Sequence, residues 1–272
     1  MKLSCTCYMV PGESLTKQAQ NLKKWGYDGM GIFVDYADWN DTLRQEIMDL
    51  RENTGIVPCE FVFQDPCYGH LMNDKDTLIR ERARKMYKEA SLFCAQIGAV
   101  TELEYQYGPQ DPLPLFNPYA KIPSGKDKEF FEVFRSITKP TEGSNGYVLL
   151  EPINRYEAPF LNNVDDCLEA IDYIAMKNAG LLLDTFHLSI EEKSIPDKIR
   201  EAGSRIKHVH LGDNNRLMPG YGNLPWKKIV DALYDIGYQG YLSLECCLSG
   251  DPEITLPANV EFFDKLIQGA RV

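Results

Sequence analysis

The sequence predicts an α/β protein built as a single (β/α)8 barrel, the TIM barrel. Strand-like and helix-like segments alternate along the 272 residues, and eight segments of each kind are found. This alternation is typical of parallel sheets flanked by helices, and the length is typical of the closed barrel. The main rival is a doubly wound open sheet, but no G-x-G-x-x-G motif follows any strand-like segment. These three observations favour the barrel.

The predicted strands are short apolar runs, as expected of parallel strands that are covered on both faces. The first is broken by Pro11 and Gly12. The fifth ends in Glu151 before Pro152, which cannot donate to a central ladder. The eight runs are residues 3–10, 29–35, 56–63, 99–105, 147–151, 181–184, 206–211 and 241–246.

The predicted helices show apolar residues at helical spacing, and most of them end beside a glycine, a common stop signal. Gly26, Gly55 and Gly98 follow the first three helices, and Gly180 follows the fifth. The eight helices are residues 13–25, 41–52, 75–96, 126–138, 164–178, 196–202, 226–236 and 258–268. A proline-rich loop that extends to Pro123 is expected after the fourth strand.

Composition and charge narrow the range of possible functions. The chain is 44% hydrophobic and 25% charged, with 29 basic and 40 acidic residues and a net charge of −11. An acidic surface repels phosphate backbones and anionic lipid, so neither nucleic acid nor a membrane is an expected partner. No run approaches the length of a membrane span, and the N-terminal run lacks a signal-peptide cleavage site. We therefore expect one domain over residues 1–272, located in the cytoplasm, with its eight cysteines reduced.

Residues 146–157, GYVLLEPINRYE, form the stretch around which the functional interpretation is built. Its apolar strand ends in Glu151, and Asn154, Arg155 and Glu157 follow within six residues. The carboxyl ends of parallel strands are where α/β folds bind ligands. A carboxylate at this place is therefore a candidate for chemistry, although a solvated glutamate at a strand end is an equally ordinary reading.

Strands six, seven and eight repeat this arrangement. They end in Asp184, His210 and Glu245, and the intervals are close to one βα unit of about 30 residues. Because equivalent positions on consecutive barrel strands converge at one end, the four side chains are expected to meet there. Burying three carboxylates without a cation would cost several kcal/mol per group, so a metal is expected. The oxygen-rich ligand set suits Mn²⁺ best, with Co²⁺ and Mg²⁺ as alternatives, and fits Zn²⁺ less well.

Four segments resemble the motifs of the sugar isomerase/epimerase superfamily, the xylose isomerase-like TIM barrels. They are EPINRYE, LLLDTFHLSIEE, HVHLGDNNRLMPGYGNLPW and LSLE. The chain is most similar to the ketose 3-epimerases of the D-tagatose and D-allulose (psicose) type. The resemblance is strong between residues 146 and 245. Before residue 146 it rests only on the alternation of strands and helices.

The resemblance implies roles for seven residues. The metal ligands that it implies are Glu151, Asp184, His210 and Glu245, and the substrate contacts are Glu157, His187 and Arg216. His208 points to the same side of its strand as His210 and is expected one layer deeper. The resemblance also allows a homo-oligomer, either a dimer or a tetramer.

The implied reaction is inversion of C3 of a free or phosphorylated ketose through a cis-enediolate. Glu151 and Glu245 would flank C3, one removing the proton and the other returning one on the opposite face. Proton delivery to a neighbouring carbon would instead give an aldose–ketose isomerase of the hydroxypyruvate isomerase type, and inosose dehydratase is a third alternative. The non-enzymatic alternative is a barrel that binds a sugar without catalytic activity.

One feature of the first half departs from the family pattern. Glu102 and Glu104 share a face of the fourth strand because side chains alternate with a period of two. They would add carboxylates to the pocket if they face inward, or pair with helix cations if they face outward.

Overall fold

The eight strands form a closed parallel barrel in chain order, β1 to β8, which confirms the predicted fold class. The structure is a computed structural model that describes residues 1–105 and 122–270. The strands are β1 (Lys2–Thr6), β2 (Gly29–Asp35), β3 (Val57–Gln64), β4 (Val100–Leu103), β5 (Tyr147–Leu150), β6 (Ala179–Asp184), β7 (Ile206–Leu211) and β8 (Tyr241–Leu244). The predicted proline-rich loop lies mostly outside the described residues.

Helices follow the strands as the alternating pattern predicts. They are α1 (Leu15–Trp25), α2 (Asp41–Thr54), α3 (Thr77–Ile97), α4 (Lys126–Thr138), α5 (Val164–Ile174), α6 (Thr185–Glu191), α7 (Ile195–Ala202), α8 (Trp226–Asp235) and α9 (Pro252–Ala270). Within the described residues, no helix combines the length and apolar character needed to cross a membrane.

Side chains and glycines set several of these helix ends. Ser14 caps the start of α1 by accepting a hydrogen bond from the backbone N–H of Lys17, at 3.2 Å. Gly26 and Gly55 end α1 and α2 in the left-handed conformation, with φ of 95° and 76°. A left-handed residue at this position is a common way for a helix to stop, and glycine adopts it without a steric penalty.

Some predicted boundaries are wrong. The first strand ends at Thr6, and a 3-10 turn at Cys7–Met9 replaces its last predicted residues. Helix α5 ends at Ile174 because Ala175 adopts a left-handed conformation, and Gly180 belongs to β6 rather than to a helix stop. Helix α9 begins six residues before the predicted start at residue 258 and continues through Pro257.

The chain divides into two compact units. The first comprises residues 1–33, 39–60 and 183–272, and the second comprises residues 34–38 and 61–182. The expectation that residues 1–272 form one domain therefore stays a prediction.

In the first unit, β1 pairs with β2 and β8, and β7 pairs with β8. The register places Ser243 of β8 opposite both Ser4 of β1 and His210 of β7. Helices α7, α8 and α9 pack against one another in order, and fully buried side chains such as Leu233 and Phe263 fill the space between helices and strands. This unit carries the carboxyl ends of β6, β7 and β8.

In the second unit, β4 pairs with β5, and β5 pairs with β6. Its interior is rich in aromatic side chains, which stack edge-to-face, as Phe61 and Phe93 do with ring centroids 4.8 Å apart. Helices α3 and α4 pack on these strands and bury Phe130 and Phe134 completely. Strand β5 leads out of this interior to Glu151.

Candidate metal centre

Three strand ends of the first unit bring Asp184, His210 and Glu245 together. Asp184 is the last residue of β6, His210 lies near the end of β7, and Glu245 follows β8 directly. Each offers one ligand atom, and these atoms all lie within 4.8 Å of one another. Asp184 and His210 are fully buried, and only 15% of the Glu245 side chain is exposed. Two carboxylates and an imidazole therefore share a small volume that is largely buried.

Arg216 lies directly against this group. Its Nη1 contacts Oδ2 of Asp184, and its Nη2 donates to Oε2 of Glu245 at 2.8 Å. Tyr8 donates its hydroxyl proton to the other oxygen of Glu245, at 3.0 Å. Burial would raise the pKa of Glu245, but His210 and Arg216 hold that pKa below its ordinary value. Glu245 is therefore ionised at neutral pH.

The position of Arg216 depends on the loop between β7 and α8. Arg216 has a φ of 59°, in the left-handed region, and its backbone N–H donates to the carbonyl of Asp213 at 2.8 Å. Its carbonyl in turn accepts from the N–H of Cys247, just after β8, at 2.8 Å. The guanidinium lies over the ring of Phe186, 4.8 Å from the centroid. The residue is thus held on both its backbone and its side chain.

Asp213 organises the rest of that loop although it is fully buried. One carboxylate oxygen accepts from the N–H groups of Asn214 and Leu224, and the other accepts from the N–H of Gly220 and the indole N–H of Trp226. Burial would raise the pKa of Asp213, but these four donors lower it. The loop is therefore built around one ionised carboxylate.

Glu60 is a functional candidate that sequence reasoning missed. It lies in the middle of β3, is fully buried, and has Oε1 at 2.9 Å from Nε2 of His210. His208 lies on its other side, with Nε2 at 3.6 Å from Oε2 of Glu60. Burial lowers the pKa of His208 to about 4. The available signal was one carboxylate inside the apolar run VPCEFVF.

The donor set fits a divalent cation. A carboxylate accepts hydrogen bonds only, so Glu60 places the ring proton of His210 on Nε2. The other ring nitrogen, Nδ1, then lies 3.3 Å from Oε2 of Glu245, among the oxygens of the cluster. Oxygen ligands with an imidazole nitrogen bind divalent metals. The chain therefore has a candidate metal site at Asp184, His210 and Glu245.

The remaining predicted residues lie in different surroundings. Glu151 follows β5 in the second unit, is 3% exposed, and donates its backbone N–H to the carbonyl of Leu103 at 3.1 Å. Glu157 is exposed and accepts a hydrogen bond from the side chain of Asn154 at 2.7 Å. His187 is buried in α6, with Nε2 at 3.7 Å from Oδ2 of Asp184. The roles expected for these three residues stay predictions.

Glu102 and Glu104 are both buried, at 6% and 9% exposure. The hydroxyl of Tyr68 lies 2.5 Å from the first carboxylate and 3.2 Å from the second. A tyrosine hydroxyl has one proton to donate, so one of the two contacts needs a second proton or a cation nearby. Both carboxylates are thus buried beside Tyr68 and do not lie at the protein surface.

Comparison with known proteins agrees with the fold. The family described as xylose isomerase-like TIM barrel matches residues 19–266. A D-psicose 3-epimerase from Ruminiclostridium cellulolyticum is 33% identical over 231 residues, which cover 83% of this chain and 76% of that protein. A D-psicose 3-epimerase from Enterocloster bolteae is 43% identical over 111 residues, which cover 41% of this chain and 37% of that protein. The crystal structure of a D-psicose 3-epimerase with D-tagatose from Clostridium cellulolyticum has a TM-score of 0.76 at 25% identity, and the match covers 99% of this chain and 96% of that one.

Proposed function

The chain belongs to the xylose isomerase-like TIM barrel family, and we propose that it is a metal-dependent ketose 3-epimerase. The observation that carries the proposal is the convergence of Asp184, His210 and Glu245 at three consecutive strand ends, within 4.8 Å of one another. A relative aligned over most of the chain has the name of an epimerase of this kind. The substrate would be a free or phosphorylated ketose.

Glu151 is proposed as the fourth metal ligand. It follows β5 as Glu245 follows β8, and in a closed parallel barrel the carboxyl ends of all strands point to the same end. Glu151 is also buried, at 3% exposure, as the ligand candidates Asp184 and His210 are. Three carboxylates and one imidazole make Mn²⁺ the first metal to test, with Co²⁺ and Mg²⁺ next.

The chemistry follows from what two glutamates can do on opposite faces of a sugar carbon. A divalent cation bound at this site supplies a Lewis acid that polarises the ketose carbonyl. Glu245, ionised at neutral pH, takes the proton from C3 as a carboxylate. Glu151, in its protonated form, delivers a proton to C3 of the resulting enediolate from the other face. Between turnovers Glu245 would release its proton to solvent and Glu151 would take one up from solvent, so both residues return to their starting states.

Three side chains are proposed to hold the sugar. The guanidinium of Arg216 presents several N–H donors beside Asp184 and Glu245, where substrate oxygens would lie. His187 is within 3.7 Å of Asp184 and can donate to the same oxygens. Glu157 lies on the exposed side of its loop and would accept from a hydroxyl further from C3.

Proton exchange in D₂O tests the proposal directly. The protein with Mn²⁺ is incubated with D-fructose, D-tagatose and their phosphates, and NMR follows the deuterium. An epimerase places solvent deuterium at C3 and forms the C3-inverted product. Deuterium at C1 indicates the aldose–ketose isomerase, and loss of water from the sugar indicates the dehydratase. Binding without exchange indicates the sugar-binding barrel, and each of these results would overturn the proposal.

Replacing one glutamate tests the roles of the acid and base. Glu245→Gln keeps the size of the side chain and removes its basicity, so exchange at C3 should fall by at least about 10²-fold. Glu253→Gln, at an exposed position of α9, is the matched control and should retain full activity. Activity retained in Glu245→Gln would contradict the two-glutamate scheme.

Location and assembly are proposed on the same basis. All eight cysteines are free thiols, which fits the expected cytoplasmic compartment. A homo-oligomer, dimer or tetramer, is proposed from the family resemblance, because isologous pairing of identical subunits is common in soluble enzymes. Sedimentation at several concentrations decides the oligomeric state.

A further inference from the structure

Glu60 and His210 form a buried carboxylate–imidazole pair beneath the candidate metal site. Oε1 of Glu60 lies 2.9 Å from Nε2 of His210, and both side chains are fully buried. Their strands are far apart in the sequence, since the two positions are separated by 150 in residue number. The contact therefore depends on the barrel and not on a local motif.

The neighbours of Glu60 fix the position of its carboxylate. A Cβ atom added to Gly31 would lie 2.8 Å from Oε2 of Glu60, so a glycine on β2 makes room for this carboxylate. On another side, Nε2 of His208 approaches Oε2 to 3.6 Å. The rings of His208 and His210 are perpendicular, with centroids 5.3 Å apart. The carboxylate is confined by packing as well as by its hydrogen bond.

An isolated ionised carboxylate in a protein interior is expensive, and an apolar side chain would fill the same place in β3 at lower free energy. Glu60 is therefore retained for something other than packing. Its contact with His210 has one specific chemical result, the selection of the tautomer with hydrogen on Nε2. That tautomer leaves the lone pair on Nδ1, the nitrogen that lies 3.3 Å from Oε2 of Glu245.

We propose that Glu60 is the positioning residue of the metal centre, which orients His210 and selects the tautomer whose Nδ1 binds the cation. The inference deepens the proposed function and rests on it, because it requires a cation at Asp184, His210 and Glu245. Glu60 acts through His210 and touches neither metal nor substrate. Residues that hydrogen-bond to a metal-binding histidine in this way typically contribute 10–100-fold to metal affinity.

Two variants separate the effect of the hydrogen bond that orients His210 from the effect of the negative charge of Glu60. Glu60→Gln keeps the volume and an acceptor oxygen but loses the negative charge, so Mn²⁺ affinity should fall by about tenfold in calorimetric titration. Glu60→Leu removes the acceptor as well, and affinity should fall by about 100-fold. Glu46→Gln is the matched control. This carboxylate also lies in the first unit and accepts two hydrogen bonds from Thr16, at 2.8 and 2.9 Å, and its replacement should leave the affinity unchanged.

The tautomer itself is measured by ¹⁵N NMR of metal-free protein labelled in the imidazole ring, at an alkaline pH at which imidazole rings are neutral and hold one proton. The chain has only four histidines, so single replacements assign every ring signal. In the wild type, His210 should carry hydrogen on Nε2 and none on Nδ1. In Glu60→Leu the carboxylate of Glu245 still lies beside Nδ1, so the hydrogen should shift toward Nδ1. A purely structural role for Glu60 would change stability without changing this signature, and Glu60→Gln provides the measurement if the leucine variant does not fold.

The outcomes distinguish this inference from the proposed function. Hydrogen on Nδ1 in the wild type, or unchanged Mn²⁺ affinity in both Glu60 variants, would overturn the role of Glu60. Failure of the wild type to bind any divalent metal would overturn the proposed function and this inference together. Wild-type binding without exchange at C3 would leave the role of Glu60 standing while the epimerase proposal fails.

Discussion

At the scale of single residues, Arg216 places one cation against two buried carboxylates. Its guanidinium contacts Oδ2 of Asp184 and Oε2 of Glu245. Both oxygens belong to residues that the metal site would use, so a bound cation and the guanidinium compete for the same lone pairs. Arg216 therefore offsets the charge of these two carboxylates, and a metal that binds there would have to displace its guanidinium.

This competition makes Arg216→Gln informative. Without metal, the change leaves Asp184 and Glu245 buried without a cation, so the free energy of unfolding should fall by about 1–3 kcal/mol, allowing for the 30% exposure of the arginine side chain. Saturating Mn²⁺ should restore most of this loss. Urea denaturation with and without Mn²⁺ measures both effects.

Arg200→Gln is the control, because Arg200 pairs with Asp235 and Asp197 at an exposed surface. Its effect should stay below about 1 kcal/mol and should not respond to Mn²⁺. Equal losses of unfolding free energy in the two variants would show that Arg216 contributes as an ordinary surface charge and does not offset the negative charge of Asp184 and Glu245.

Sequence reasoning reached some of these residues and not others for a physical reason. Asp184, His210 and Glu245 stand at equivalent places in successive βα units, so their proximity follows from the repeat and the closed barrel alone. The contact between Glu60 and His210 crosses the barrel and depends on strand register, which a repeat interval does not determine. In the sequence, the only sign of this contact is a carboxylate inside an apolar strand.

At the scale of elements, the loop between β7 and α8 is a rigid support rather than a flexible connection. Four N–H groups converge on the carboxylate of Asp213, and Arg216 is bonded to its backbone. Gly222 is needed beside it, because a Cβ atom at that position would lie 2.2 Å from Oδ1 of Asp213. Arg216 was predicted from a segment that resembles the family motifs. The structure adds that Asp213 holds the loop on which Arg216 lies.

Asp213→Asn should disorder this loop. The amide turns one acceptor oxygen into a donor that faces other donors, so unfolding free energy should fall by about 2–4 kcal/mol. KM for the ketose should rise more than kcat falls, since Arg216 would lose its position. Denaturation, steady-state kinetics and the fluorescence of Trp226, whose indole N–H loses its acceptor, measure these effects.

The same variant has a pH signature. Because the folded protein lowers the pKa of Asp213, this residue contributes stability above the unfolded pKa of about 3.9, and that stability is lost as pH falls below it. The variant should therefore show a smaller acid-induced loss of stability below pH 4 than the wild type. Gly269→Ala, at an open position of α9, is a control that should match the wild type. A steeper loss of stability in acid for Asp213→Asn than for the wild type would contradict the conclusion that Asp213 is ionised in the folded protein.

The boundaries of elements were harder to predict than their existence. The predicted start of the last helix, residue 258, comes directly after Pro257, and proline disfavours a helical conformation at the residue before it. The structure carries α9 through Pro257 from Pro252. Helix α6 was not predicted because Thr185–Glu191 is a single short segment between a strand and a loop, with two turns at most. Packing after β6 decides its conformation, and sequence periodicity cannot resolve so few residues.

At the scale of the whole molecule, the alternation of strands and helices was sufficient to predict the barrel because eight βα units have few other ways to bury both faces of a parallel sheet. The closed order of β1 to β8 then places all carboxyl ends at one end of the barrel. We expect the choice of ketose to depend on side chains of the first half, such as Glu102, Glu104 and Tyr68, which lie outside the segments that resemble the family motifs.

Metal binding should stabilise the entire fold. A ligand that binds only the folded state at 100 times its Kd contributes about 2.7 kcal/mol, which for a chain of this size raises Tm by roughly 5–10 °C. Calorimetric melting in Mn²⁺ compared with EDTA measures the shift. The net charge of −11 also attracts cations weakly and without a site, so both samples need the same high ionic strength. Asp184→Asn, which removes a buried ligand, should abolish the shift, whereas Asp197→Asn, with a side chain 70% exposed, should keep it. An equal shift in Asp184→Asn would mean that Mn²⁺ acts on the general charge of the protein and that the strand-end cluster is not its binding site.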